Sequence, residues 1–236
     1  MVCKLDTGIQ TAEENMRHDA TLLQEISGEP ILHLYDWEGP SVTYGHFIAP
    51  GDHLSLSAVQ ENRVSLARRP TGGGIVFHLW DYAFSFLMPS THPLFSLNTL
   101  ENYAFVNKVV LETMTEMFGV KNSVELLPES MPIKGEGCGN FCMARPTQYD
   151  VVYQGRKIAG AAQRRTKQGY LHQGTISLSL PDMNLLSSLL LNKRDVMEAM
   201  QAYSFSPLRG DESQSALQNI RKEIGDRLYK RFSSYC

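Results

Sequence analysis

The sequence predicts an α/β (mixed α+β) domain over residues 1–236, a mixed β-sheet flanked by helices, and three observations carry that prediction. Short β-branched and aromatic runs, punctuated by glycine and proline, recur between residues 31 and 88 and again between 149 and 178. Segments with apolar residues three and four apart lie before, between and after those runs. The 236-residue chain is 42% hydrophobic and 20% charged, enough to bury a sizeable core and typical of a globular protein. Strands interleaved with helices, some through tight hairpins, imply a sheet covered by helices.

Taken in order, Thr11-x-x-Glu14 is a capping box that opens an amphipathic helix running toward Ile26, and Ser27-Gly28 stops it. Residues 31–37 and 41–48 read as a strand pair joined through Gly39-Pro40. Residues 64–68, 75–78 and 82–88 read as further strands, the last rich in aromatics. Asn98-x-x-Glu101 begins a second helix whose apolar face is Tyr103, Val106, Val110, Met114 and Met117, with Gly119 as its C-cap. Residues 128–147, broken by Pro128, Pro132, Gly135, Gly137, Gly139 and Pro146, read as a long loop of the kind that is usually functional or mobile. Two β-like runs then flank the Gln154-Gly155 turn as a hairpin. Helical segments follow at about 183–192 and 194–203. After a Pro207–Gly210 break, a last helix at about 213–232 places Leu217, Ile220, Ile224 and Leu228 on one face.

The formal charge is −3, from 22 basic against 25 acidic residues, which offers no basic footprint for a nucleic acid. Arg164, Arg165 and Lys167 form the nearest basic cluster, suited either to an acidic face of a protein substrate or to a solvated loop. The N-terminus lacks the apolar core of a signal peptide. No run approaches the roughly 20 apolar residues of a membrane span. Four unevenly placed cysteines do not make a disulfide framework, so a reducing cytoplasm is expected. Cys138 and Cys142, with neither a second pair nor a nearby histidine, do not suggest zinc, and no metal site is expected.

Two segments suggest chemistry. In Arg68-Arg69-Pro70-Thr71-Gly72-Gly73-Gly74-Ile75-Val76-Phe77-His78, glycines permit close backbone approach and the arginines are planar forks for carboxylates or phosphates. The same residues also suit a tight turn with arginines in solvent. In Gly155-Arg156-Lys157-Ile158-Ala159-Gly160-Ala161-Ala162-Gln163, Lys157 either ends a strand in solvent or reaches the polar head of a molecule lying along the small residues.

RRPTGGGIVFH, GRKIAGAAQRR and LHQGTISL, together with Tyr44-Gly45-His46 after Leu34-Tyr35-Asp36-Trp37, resemble the catalytic domain shared by lipoate–protein ligase A and the lipoyl octanoyltransferases. Biotin–protein ligases are a more distant branch of it. The resemblance covers roughly residues 10–200 and implies the biotin/lipoyl ligase fold, related to class II aminoacyl-tRNA synthetases. It implies an enzyme that attaches a lipoyl or octanoyl group to one lysine of a lipoyl domain. It further implies that Lys157 is catalytic and that Arg68, Arg69, Gly72, Gly73, Gly74, His78, Gly160, Ala162, His172, Gly174 and Thr175 line the acyl or acyl-adenylate cradle.

Two mechanisms fit that family. In one, octanoyl passes from acyl carrier protein through a cysteine, with no tightly bound cofactor; in the other, free lipoate is activated by ATP and Mg2+. Cys142-x-x-x-Pro146-Thr147-x-Tyr149-Asp150 resembles the segment that carries the acyl-accepting cysteine in one group of octanoyltransferases. The residues alone leave Cys142 open to being a small buried apolar residue. Such a relay needs a cation such as Lys157, or a nest of backbone amides, beside the sulfur. Gly74 is ligase-like, whereas His78-Leu79-Trp80-Asp81 departs from the ligase pattern and Ala159–Gln163 leans to the transferase. His172 and Gln173 stand in the reverse of the transferase order. The transferase leads, with the ligase as alternative and a silent acyl- or lipoyl-domain-binding protein as a third reading. The ligases often carry an accessory domain, for which this chain has room only for its last helix.

Overall fold

A computed structural model describes residues 1–119, 124–132, 138–179, 182–208 and 214–236. Its larger sheet holds seven strands in the order β1-β2-β6-β10-β9-β8-β7: β1 (Cys3–Gln10), β2 (Ile31–Trp37), β6 (Asp81–Pro89), β10 (Gly169–Ser177), β9 (Arg156–Arg165), β8 (Val151–Tyr153) and β7 (Val124–Leu126). A second sheet of three strands runs β4-β3-β5: β4 (Ser65–Arg68), β3 (Ser41–Tyr44) and β5 (Ile75–His78). β1 pairs parallel with β2, while β6, β10, β9, β8 and β7 pair antiparallel, so the large sheet is mixed.

The helices are α1 (Ala12–Glu25), α2 (Leu56–Glu61), α3 (Thr99–Phe118), α4 (Met183–Leu189), α5 (Lys193–Tyr203) and α6 (Gln214–Tyr235). The Thr11–Glu14 capping box closes in both directions, and Gly119 caps α3 at φ 63°. α3 and α6 cover one face of the large sheet, where Phe84, Phe86, Val106, Met114, Leu228 and Phe232 share one apolar cluster. Phe86 and Phe232 stack with centroids 4.1 Å apart. The other face looks toward α1 and the small sheet. A second cluster there, including Val42, Ile75, Cys138, Phe141 and Leu186, ties the small sheet to α4 and α5.

Several expectations change. Residues 31–37 and 41–48 are not a pair: β2 joins β1 and β6, and Gly39-Pro40 carries the chain across to the second sheet. The second strand ends at Tyr44, because Gly45 N donates to Gly74 O and His46 N to Thr71 O. β1, β7 and α2 were not expected. β1 buries little of either face and β7 is three residues long, so neither carries a strand-length apolar signal. The 128–147 segment contains two 3-10 turns, Cys138–Asn140 and Cys142–Ala144. Its Gly135 and Gly137, and the expected helix start near residue 213 with Gly210, lie outside the described residues. Among the described residues no helix is long and apolar enough to cross a membrane.

Candidate functional site

The glycine segment becomes the loop between β4 and β5, with Gly73 at φ 81°. Glycine is needed for contact as well as for φ. A Cβ on Gly45 would lie 1.9 Å from Gly73 O, and one on Gly74 would lie 2.3 Å from Asn140 O. The loop is thus wedged between the end of β3 and the segment that carries Cys142. Arg69 folds inward and is only 5% exposed. Its Nη1 donates to Thr43 Oγ1 at 2.9 Å, and its Nη2 to Gly72 O and Gly74 O at 3.0 and 2.6 Å. The fork expected to face a ligand therefore braces the loop with part of its donors. The Cys142 sulfur lies close by, since Arg69 Nη2 and Cys142 Sγ are 3.3 and 3.9 Å from the point a Gly73 Cβ would occupy. Burial holds the guanidinium below the ordinary arginine range, while the Cys142 sulfur and Tyr35 oppose that shift.

Lys157 is not a solvated strand-end residue: it is 3% exposed. One extra residue on β9 at the Val151/Val152 step shifts its register against β8, and such a bulge re-aims a neighbouring side chain. Lys157 Nζ lies 2.7 Å from Asp150 Oδ2 and donates to the main-chain oxygen of Cys142 at 3.0 Å. Gly160 leaves the passage for it, since a Cβ there would lie 2.3 Å from Lys157 Cε and 2.7 Å from Asp150 Oδ1. Asp150 also accepts from Thr147 N at 2.6 Å, Thr147 Oγ1 at 2.9 Å and Tyr103 OH at 2.7 Å. Burial, then the Asp150 charge, push the Tyr103 phenol well above its ordinary range, so it remains a donor. Lys157 meets the backbone of Cys142, and Arg69 is the cation at its side chain.

Between the sheets lies a narrow, nearly filled cavity of about 30 Å³. Met16, Tyr35, Trp37, Val76 and Ala83 supply its apolar wall, and Cys142, Arg69, His78, Ala162, Gln173 and Gly174 are among the other residues that line it. From the position a Gly73 Cβ would occupy, Arg69 Nη2 is 3.3 Å away, Ala162 Cβ 3.4 Å and Cys142 Sγ 3.9 Å. Gly73, Arg69, Ala162 and Cys142 thus meet at one end of the cavity.

A chain of hydrogen bonds runs along its wall. His78 Nε2 meets Thr43 Oγ1 at 2.8 Å, His78 Nδ1 meets Asp81 Oδ2 at 2.6 Å, and Thr175 Oγ1 donates to that same oxygen at 2.6 Å. Burial pushes the Asp81 carboxyl up, but His78 and Thr175 outweigh it and leave Asp81 below its ordinary range. The Trp37 ring stacks on His78 with centroids 4.1 Å apart. A second chain holds the glycine loop from below. Thr71 Oγ1 donates to Gln173 Oε1, and Gln173 Nε2 to Asp19 Oδ2, both at 2.6 Å.

The structure thus brings together Arg69, Gly72, Gly73, Gly74, His78, Cys142, Lys157, Gly160, Ala162 and Thr175. It does not bring in Arg68, which is exposed at the end of β4, or His172. On β10, Gln173 and Thr175 pair with Ala162 and Gly160 on the cavity side, so His172, paired with Gln163, points the other way. His172 is fully buried near Phe84 and Tyr103, and burial lowers its pKa to about 3. Gly174 is also partly a packing residue, since a Cβ there would lie 2.6 Å from the Phe84 ring. Asp150, Asp81, Thr43, Tyr103, Gln173 and Asp19 went unassigned in the sequence. Two signals pointed to them: Asp150 precedes the hairpin that carries Lys157, and His78-x-x-Asp81 spans a strand turn.

Comparison with known proteins agrees with this architecture. The chain is 28% identical over 205 residues to the octanoyltransferase LipM of Staphylococcus aureus, covering 85% of this chain and 74% of that protein. A chain from the archaeal lipoylation system of Thermoplasma acidophilum, a bi-partite lipoate protein ligase, shares the fold at TM-score 0.68 and 21% identity, covering 97% and 84% of the two chains. Lipoate-protein ligase A bound with ATP shares it at TM-score 0.66 and 22% identity, covering 97% and 85%. A sequence model of the lipoyl protein ligase A/B catalytic domain matches residues 11–221, and this chain belongs to that family of enzymes.

Proposed function

We propose that this enzyme lipoylates proteins by octanoyl transfer through Cys142, from a thioester on acyl carrier protein to the acceptor lysine of a lipoyl domain. One observation carries the reading: of the four cysteines, Cys142 alone lines the cavity. Cys138, four residues earlier, is packed in the second apolar cluster, and burial pushes its thiol above the ordinary range. The 28% identity to an octanoyltransferase supports the same branch.

In the first half-reaction the Cys142 sulfur attacks the octanoyl carbonyl. A new C–S bond forms, and the donor's C–S bond breaks, returning its thiol with the proton. In the second, the lysine amine attacks the Cys142 thioester. The amide C–N bond forms, the C–S bond breaks and the Cys142 thiol is regenerated, so no ATP is consumed. Arg69 stands at the sulfur, and Lys157, clamped by Asp150, fixes the Cys142 carbonyl and with it the sulfur's position. The apolar wall holds the acyl chain.

The test offers purified enzyme and apo lipoyl domain either octanoyl-acyl carrier protein or lipoate with ATP and Mg2+. Octanoylation from the first alone is expected. Lipoylation that requires ATP would establish the ligase reading instead, with Arg69 and Gly72–Gly74 cradling an acyl phosphate. Failure of both, with retained acyl binding, would leave the silent binding protein.

A further inference from the structure

We infer that the rim beside the glycine loop is a docking surface for an acidic carrier protein that delivers the thioester. The inference rests on the transferase reading and goes beyond it by naming the surface. Arg68, Arg164, Arg165 and Lys167 are all exposed, and among the described residues none makes an ion pair. Two of them, Arg68 and Arg164, adjoin the glycine loop. Arg164 Nη1 donates to Pro70 O at 3.2 Å, two residues from both Arg68 and Gly72. The neighbouring Arg165 donates to Leu97 O. Lys167 sits in the turn between β9 and β10, beside Ser90, whose Oγ donates to the Lys167 carbonyl at 2.9 Å.

Four cations without ion pairs flank the end of β9, Arg68 and Arg164 on the glycine-loop side, Arg165 on the side of α3 and Lys167 in the turn between them, in a chain of net charge −3. The acid closest to them in sequence on the Leu97 side, Glu101, is engaged by Ser96 Oγ and Asn98 Nδ2. The rim also exposes large apolar side chains. Leu97 is 81% exposed, Leu94 and Leu100 are more than 40% exposed, and Phe47, beside the His46 that binds the glycine loop, is 90% exposed. Arginines among exposed apolar and aromatic residues are the composition of a protein interface.

Charge selects between the two proteins that must visit the cavity. The acceptor brings a lysine amine, and a cationic rim gives no attraction to an incoming ammonium. A donor with an acidic face and a neutral thioester at the end of an arm is attracted and oriented by the same rim.

The test compares wild type with Arg165→Glu/Lys167→Glu, and with Lys167→Glu alone as a variant that removes no side-chain contact seen in the structure. Cys142 loading is measured from octanoyl-acyl carrier protein and from octanoyl-pantetheine, a small neutral thioester. The double variant is expected to raise KM for the carrier-bound donor roughly tenfold or more, with kcat and octanoyl-pantetheine loading unchanged. Lys167→Glu should move the same way by less. Raising salt from about 0.05 to about 0.5 M should weaken wild-type loading from the carrier and leave the double variant little changed. An unchanged carrier KM, an equal loss with octanoyl-pantetheine, or a defect confined to transfer onto the lipoyl domain would each overturn the inference. Absence of wild-type loading from both donors would instead overturn the transferase reading, and the docking surface with it.

Discussion

Arg69 and Lys157 both approach Cys142, one near its side chain and the other at its carbonyl, and both are nearly buried, yet their surroundings differ. Lys157 is matched by a carboxylate, Asp150, at 2.7 Å, and its remaining contact is the Cys142 carbonyl. Arg69 has no carboxylate partner among the described residues; its fork rests on the neutral oxygens of Thr43, Gly72 and Gly74. A cation bound only to neutral acceptors keeps its field for the reacting group, whereas one paired with a carboxylate spends most of it locally. On the proposed reading, Lys157 is a residue of position and Arg69 a residue of charge.

The largest expected effect falls on the Lys157 side. Lys157→Ala strands a buried carboxylate and should lower unfolding free energy by about 3–5 kcal/mol in urea titrations. Combining Lys157→Met with Asp150→Leu should recover most of that stability but not activity. A single Lys157→Ala variant of wild-type stability would break the comparison.

On the other side, Arg69→Lys keeps a charge and loses the three-point fork. Loading of Cys142 should fall about 10²-fold, the scale of losing one preorganised donor. Stability should change far less than in Lys157→Ala. Equal rates for Arg69→Lys and wild type would remove Arg69 from the chemistry.

A smaller effect is expected from Gly73→Val. The new Cβ would sit tight against Arg69 Nη2 and in ordinary contact with Ala162 and Cys142, at a backbone φ of 81°. Loading should fall roughly tenfold, the equivalent of about 1.4 kcal/mol, in line with the cost of a left-handed side chain. Unaltered loading would reduce the loop to a turn.

The smallest effect on loading lies outside the cavity. Burial lowers the His172 pKa from 6.5 to about 3 in the fold. Between those values the unfolded chain binds a proton that the folded chain does not, so this group's contribution is full above pH 6.5 and lost progressively as pH falls toward 3. His172→Gln should flatten that acid limb by up to about 1.4 kcal/mol per pH unit and leave loading from octanoyl thioester intact. Loss of loading in this variant would return His172 to the site.

The residues whose roles were legible in the sequence are those whose backbone does the work. The Thr11–Glu14 box, Gly119 and the Gln154-Gly155 turn are local devices, and each appears where its chemistry requires. The glycine loop and the Cys142 and Lys157 segments were visible as motifs. What each cation faces was not, because it depends on pairing distant in sequence. Arg69 meets Thr43 on the neighbouring strand of the small sheet, 26 residues earlier, and Asp150 meets Lys157 through a bulge that no periodicity records. His172 looked like a site residue because its motif neighbours Gln173 and Thr175 are, but alternation along a strand sends adjacent side chains to opposite faces. The 31–48 pair failed for a related reason: adjacency in sequence suggested a hairpin, while the strands belong to different sheets.

The central claim, that the acyl group travels on Cys142 under Arg69, is tested most directly by intact-protein mass spectrometry after incubation with octanoyl-acyl carrier protein and no lipoyl domain. One octanoyl increment is expected, sensitive to hydroxylamine, mapping to Cys142 rather than Cys138, unaffected by ATP, absent in Cys142→Ala and slow to form in Arg69→Lys. A Cys142→Ala enzyme that retains full activity, with turnover dependent on ATP and Mg2+, would contradict it.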